Sequence, residues 1–146
     1  LELIEIQGAI HRIAREVRVP AALRRGRQNE ISGELLPLTS QEKVTHIEDY
    51  MVEVAEARGE LEHQRLVLEE SLYRLIEQAR ETPWENYLES KRPTQAQVAA
   101  ARRRAAPEIC SSIDSARHLI ARIRDQLERL DKDHEAMSRV YTVITG

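Results

Sequence analysis

Phenylalanine is absent from this sequence of 146 residues, cysteine and tryptophan each occur once, and glycine and proline occur five times each. A single Cys110 cannot close an internal disulfide or furnish a cysteine-rich zinc site. So few glycines and prolines, most of them between periodic stretches, exclude a turn-rich all-β fold. No run approaches the roughly 18 consecutive apolar residues that a membrane span needs, so no membrane partner is expected. The chain opens Leu1-Glu2-Leu3-Ile4, with neither an initiator Met nor a basic-then-apolar leader. That start reads as a processed product or a piece of a larger protein, and the setting is expected to be cytoplasmic.

What remains is a composition rich in Ala, Glu, Arg, Leu and Gln, with 32% charged residues and a net charge of −3. Such a composition suits long helices. From Val44 the positions 44, 47, 51, 54, 58, 61, 65, 68, 72, 75 and 79 alternate steps of three and four, and all but Arg58 and Arg65 are apolar. Thr39-x-x-Glu42 supplies a capping box ahead of this run. A second run, 109, 113, 116, 120, 123, 127, 130, 134, 137, 141 and 144, keeps the same spacing and is interrupted by His134 alone. Repeats of this length predict two coiled-coil helices. A shorter stripe, Leu3, Ile6, Ile10, Ile13 and Val17, predicts an N-terminal helix ending near Val19-Pro20, with Pro20–Leu23 able to restart one.

The fold class expected is therefore all-α, a long antiparallel coiled-coil hairpin with an additional N-terminal helix, giving an elongated three-helix bundle. Its parts are an N-terminal helical segment over 1–28, a loop over 29–39, and the hairpin over 40–146 with a tip at 81–106. In the loop, Leu35, Leu36 and Leu38 are expected to tuck against a neighbouring helix. Charge favours the antiparallel orientation, because one register sets Glu62 against Arg124 and Glu69 against Arg117. Arg58, Arg65 and His134 then fall in the apolar seam, where polar residues fix register more than they add stability. Gly59 falls outward.

The charge is unevenly spread. Residues 11–28 hold six Arg against one Glu, and residues 90–106 hold five basic residues and no acid. Between them, residues 42–89 carry 13 acids against five bases. A short helix over 95–105, capped by Thr94, and the break at 82–94 together form the tip. It gathers Trp84, Tyr87, Lys91, Arg92, Arg102, Arg103 and Arg104, which are the candidate partner-binding residues. The arginines could contact an acidic protein surface, and Trp84 and Tyr87 could add an anchor surface, since Trp, Tyr and Arg are enriched among the residues that carry binding energy in interfaces.

Other chemistries have weaker support. Glu60-x-x-His63 and Asp131-x-x-His134 match one half each of a helical di-iron motif, but the expected register keeps them apart, so no metal is expected. Cys110 sits beside Ile109 as a partly buried small residue, and no phosphate loop, nucleophile elbow or carboxylate dyad is present. These features predict a protein that is not an enzyme and has no cofactor or small-molecule substrate. The function expected is a structural or adaptor module mediating protein–protein association, as a homo-oligomer or with another helical protein. The alternative is nucleic-acid binding through Arg24, Arg25 and Arg27 together with Arg102–Arg104, which would be steeply salt-dependent.

Overall fold

The computed structural model describes residues 2–16 and 27–146, with the side chains of residues 2, 27–29 and 32 left aside. Five α-helices follow in order: α1 (Glu2–Glu16), α2 (Arg27–Leu35), α3 (Ser40–Glu81), α4 (Gln95–Ala105) and α5 (Pro107–Thr145), with a single 3-10 turn at Glu85–Tyr87 between α3 and α4. No strand occurs among the described residues, so the fold is an all-α helical bundle. Two compact units divide it. One comprises Leu1–Glu16 and Arg65–Ala121, the other Val17–Gln64 and Arg122–Gly146.

Helix α3 packs against α5, and α1 lies on α3. The start of α3 is held by Thr39, whose Oγ1 accepts the Glu42 N–H at 3.2 Å and donates to Glu42 Oε1 at 2.9 Å. The box at α4 is reciprocal: Gln97 N–H donates to Thr94 Oγ1, and Thr94 N–H donates to Gln97 Oε1. Pro107 opens α5, where its missing N–H costs nothing. Every large side chain of the row Ile47, Val54, Leu61, Leu68 and Leu75 is at most 3% exposed. On α5, Ile113, Ala116, Ile120, Ile123, Leu127, Leu130 and Met137 are buried, as their spacing predicts.

In the unit holding Val17–Gln64, α3 and α5 run antiparallel. Arg58 pairs with Asp131, and Tyr141 donates to Glu48 Oε1 at 3.2 Å. The register expected from Glu62 and Arg124 would set Arg58 level with residue 128, and Asp131 lies less than one helical turn from that level, within reach of an arginine side chain. Glu62 sits 3.8 Å from Arg58 on its own helix, and in the other unit Glu69 sits 3.9 Å from Arg65. Exposed ion pairs contribute only about 0.2–1 kcal/mol, too little to choose a register against a row of buried aliphatics.

The seam is also turned. Positions 51, 58, 65 and 72 are half-buried, whereas Tyr50, Gln64 and Ser71 on the other flank of the central row are buried. Ser112, Leu119 and Gln126 widen the α5 face in the same way. A third helix explains the broader stripe. In the unit containing α1, Ile6, Ile10 and Ile13 are buried and Gln7 Nε2 donates to Ser112 Oγ at 3.3 Å. Ser71 satisfies its hydroxyl on the Val67 carbonyl one turn back. Gln64 and Gln126 each bury an Oε1 that accepts no hydrogen bond from the described residues. His134, expected in the seam, is exposed, and Arg58 keeps its head at the edge.

The segment expected as a loop over 29–39 is helical as far as Leu35. Ile31 and Leu35, one turn apart, are 1% and 9% exposed, and burying them outweighs the poor helix propensity of Asn29 and Gly33. His46 Nε2 meets Glu34 Oε2 at 2.6 Å and ties α2 to α3. Of the three leucines expected to tuck in, Leu35 does so, Leu38 is half-buried, and Leu36 is 82% exposed. It follows the last helical residue and falls off the buried face. The helix restart read at Pro20–Leu23 lies outside the described residues.

Leu130 and His134 stand four residues apart with opposite surroundings, which makes a direct test of this seam. Leu130→Ala should cost about 2–5 kcal/mol in urea unfolding. His134→Ala should fall within about 0.5 kcal/mol of the parent. Equal losses at the two positions would contradict the burial pattern.

Candidate functional site

The end of α3 is closed by Thr82, whose hydroxyl donates to the Gln78 carbonyl at 2.9 Å, and by Pro83 behind it. The chain then turns tightly. Tyr87 N–H donates to the Trp84 carbonyl at 3.0 Å, Leu88 N–H to the Glu85 carbonyl at 3.1 Å, and the Trp84 N–H to Glu85 Oε2 at 3.0 Å. Helix α4 packs against this turn. Ala101 and Ala106 are buried, and their small side chains suit a close approach of α4 to its surroundings. The segment expected as an open tip is therefore a folded cap.

The arginine triplet on α4 divides its work. Successive helical residues point about 100° apart, so three neighbours cannot share one target. The Arg102 guanidinium lies 5.2 Å from the centre of the Trp84 ring, and that of Arg104 lies 5.3 Å from the centre of the Tyr87 ring. Both distances suit cation–π stacking. Arg103 turns to α5 and holds Asp114 with two bonds of 2.8 and 3.3 Å. Trp84 is half-buried and Tyr87 is 41% exposed. Lys91 and Arg92 are exposed, with no ion pair among the described residues.

Four of the seven candidate residues are thus brought into two stacked pairs. A fifth, Arg103, serves as a brace between α4 and α5, and Lys91 and Arg92 stay on the surface. Arg24 and Arg25 lie outside the described residues, and Arg27 opens α2 with its side chain left aside.

Beside the cap, α3, α4 and α5 enclose an open groove of about 690 Å3. Its apolar lining includes Ile76, Ala79, Pro93, Val98, Cys110 and Ile113. Four guanidinium groups, those of Arg80, Arg102, Arg103 and Arg117, border it, with Asp114 the one acidic lining residue. Sequence reasoning missed the groove. Helical spacing does mark the α4 face through residues 95, 98, 99, 102 and 103, but the turn that brings this face against α3 and α5 has no periodic signature. Cys110 sits half-buried in the wall, its thiol 3.8 Å from the Arg102 carbonyl. Among the described residues no three metal-ligating side chains converge. Glu60, His63 and His134 are exposed, and Asp131 is engaged by Arg58.

The hydrogen bonds from Arg103 hold the Asp114 carboxyl below the ordinary carboxylate range, more strongly than its slight desolvation raises it. The same contact raises the Arg103 guanidinium. A carboxyl lowered on folding stabilises the fold above its unfolded pKa, and that contribution disappears as pH falls through the folded value. Arg103→Ala should therefore move the Asp114 midpoint upward in an NMR titration of its carboxyl carbon. An unchanged midpoint would show that the brace does not form. No protein-family model, no curated protein and no solved structure matches this chain.

Proposed function

We propose that this chain is a non-enzymatic structural or adaptor module, built on an antiparallel coiled coil, that mediates protein–protein association and oligomerisation in a cytoplasmic setting. No described helix is long and apolar enough to cross a membrane, which is compatible with that setting. One observation supports the cap as the docking surface: Arg102 lies over Trp84 and Arg104 over Tyr87. A guanidinium stacked through its face keeps its in-plane N–H donors for a carboxylate, while the ring beneath supplies apolar area with little conformational freedom. A cap of this kind suits an acidic partner surface that also carries apolar side chains. Lys91 and Arg92 on the same segment add positive charge without a fixed geometry.

The nucleic-acid reading draws on the same arginines and on the Arg24–Arg27 cluster. Salt separates the two, because phosphate contacts release counterions whereas a partly apolar protein contact is less sensitive. Trp84, the single tryptophan, reports on the cap directly.

Trp84 emission should shift on titration with an acidic amphipathic helical peptide of Leu and Glu, and the affinity should fall only modestly between low and physiological salt. Arg102→Glu combined with Arg104→Glu should weaken that binding about tenfold or more while leaving circular dichroism unchanged. A shift produced by single-stranded oligonucleotide and not by the peptide, falling steeply with salt, would transfer the function to nucleic acid. Arg103 is unsuited to this test, since its replacement loosens the brace to Asp114.

A further inference from the structure

The groove has a counterpart on the same unit. Leu66 and Tyr73 on α3 are 59% and 65% exposed, and seven residues separate them, so they stand in one outward row two turns apart. Their separation along the helix is about 10.5 Å at 1.5 Å per residue. The wall that α5 gives the groove, from Cys110 to Arg117, covers the same seven-residue step. Length of strip and length of groove agree.

Charge agrees as well. Glu69 and Glu70 flank the strip, while Arg80 and Arg117, neither of them part of the aromatic stacks, border the groove. Glu70 currently faces Arg74 at 2.9 Å and Glu69 lies 3.9 Å from Arg65. Pairs of this i, i+4 kind on a solvated helix are weak and exchange partners readily. Three helical faces converge on the groove: Ile76 and Ala79 from α3, Val98 from α4, and Ile113 from α5. A surface of that form receives a further helix through interdigitating side chains.

We propose that the occupant is a second copy of this chain, in a two-fold dimer where the Leu66–Tyr73 strip of each protomer seats in the groove of the other. Arg80, at the groove rim, continues the row of Leu66 and Tyr73 at the next seven-residue step. Strip and groove therefore follow one another along a single surface, and a two-fold arrangement engages both of them twice. The apolar floor takes Leu66 and Tyr73, and the guanidiniums at the rim take the flanking carboxylates. Contacts two turns long lie at the small end of specific interfaces, which points to a weak, reversible dimer. The proposal names the surfaces behind the oligomerisation suggested above and makes no use of the Trp84 stack as an anchor.

Sedimentation velocity on the purified chain tests it. The parent is expected to pass from monomer to dimer across a concentration series from about 1 μM to about 1 mM, the range of weak specific association. A strip variant, Leu66→Lys with Tyr73→Lys, and a groove variant, Val98→Glu with Arg117→Glu, are each expected to weaken dimerisation tenfold or more at unchanged helicity. An equimolar mixture of the two should recover part of the association, because the mixed dimer restores one intact strip–groove contact. Trp84→Ala should still dimerise, so loss of peptide binding at the cap and loss of dimerisation are separately readable. The proposal is overturned if the parent stays monomeric throughout the series, if growth continues past the dimer, if either variant dimerises like the parent, or if the mixture recovers nothing.

Discussion

The burial of one side-chain row governs this molecule. Ile47, Val54, Leu61, Leu68 and Leu75 recur every seven residues along α3, and each is at most 3% exposed. Removing that row from water contributes on the order of 1.5–3 kcal/mol per side chain, several times what any exposed ion pair supplies. The α5 residues that meet it set the register, and surface charges accommodate themselves to the result. Arg58 illustrates this. It reaches Asp131 on α5 and Glu62 on its own helix from the edge of the interface, and keeps its charge in water.

A third helix modifies the pairing without replacing it. With only two helices, a narrow stripe on each would suffice. Here α1 brings three buried isoleucines to one unit, and α2 brings Ile31 and Leu35 to the other. Residues flanking the central rows are buried with them, whether or not they are apolar. Ser71 and Ser112 find hydrogen-bond partners there, on the Val67 carbonyl and the Gln7 amide. Gln64 and Gln126 keep a carbonyl oxygen with no donor among the described residues, a cost accepted by a face that serves two neighbours. Nearby, burial raises the Asp133 carboxyl above its ordinary range, with Arg129 opposing the shift.

Much of the architecture was legible because helical periodicity is a local property. The two long runs, the Thr39 and Thr94 caps and the Pro107 start can all be read from residues within a turn or two of each other. Three features could not. The turn of the seam toward Tyr50, Gln64 and Ser71 depends on a third helix, which the spacing of one run does not encode. Helix α2 carries Ser32 and Gly33 in its middle, so local propensity points to a loop, and the burial of Ile31 and Leu35 decides otherwise. The cap was legible as a collection of residues but not as an arrangement. Nothing local says that Arg103 turns to Asp114 while its two neighbours stack on Trp84 and Tyr87. That division follows from the turn at Glu85–Tyr87, which sets α4 against its own entry segment.

The central claim is that α3 and α5 of one chain lie side by side in opposite directions, with Arg58 beside Asp131, so that the segment joining them becomes a folded cap. Spin labels at residues 58 and 131, placed in a Cys110→Ser background, measure this most directly. The account predicts a single short distance, compatible with adjacent helices whose axes lie about 8–10 Å apart, and unchanged when labelled chain is diluted into excess unlabelled chain. A distance well beyond that of neighbouring helices, or a short one that vanishes on dilution, would mean that the two helices meet between chains and not within one.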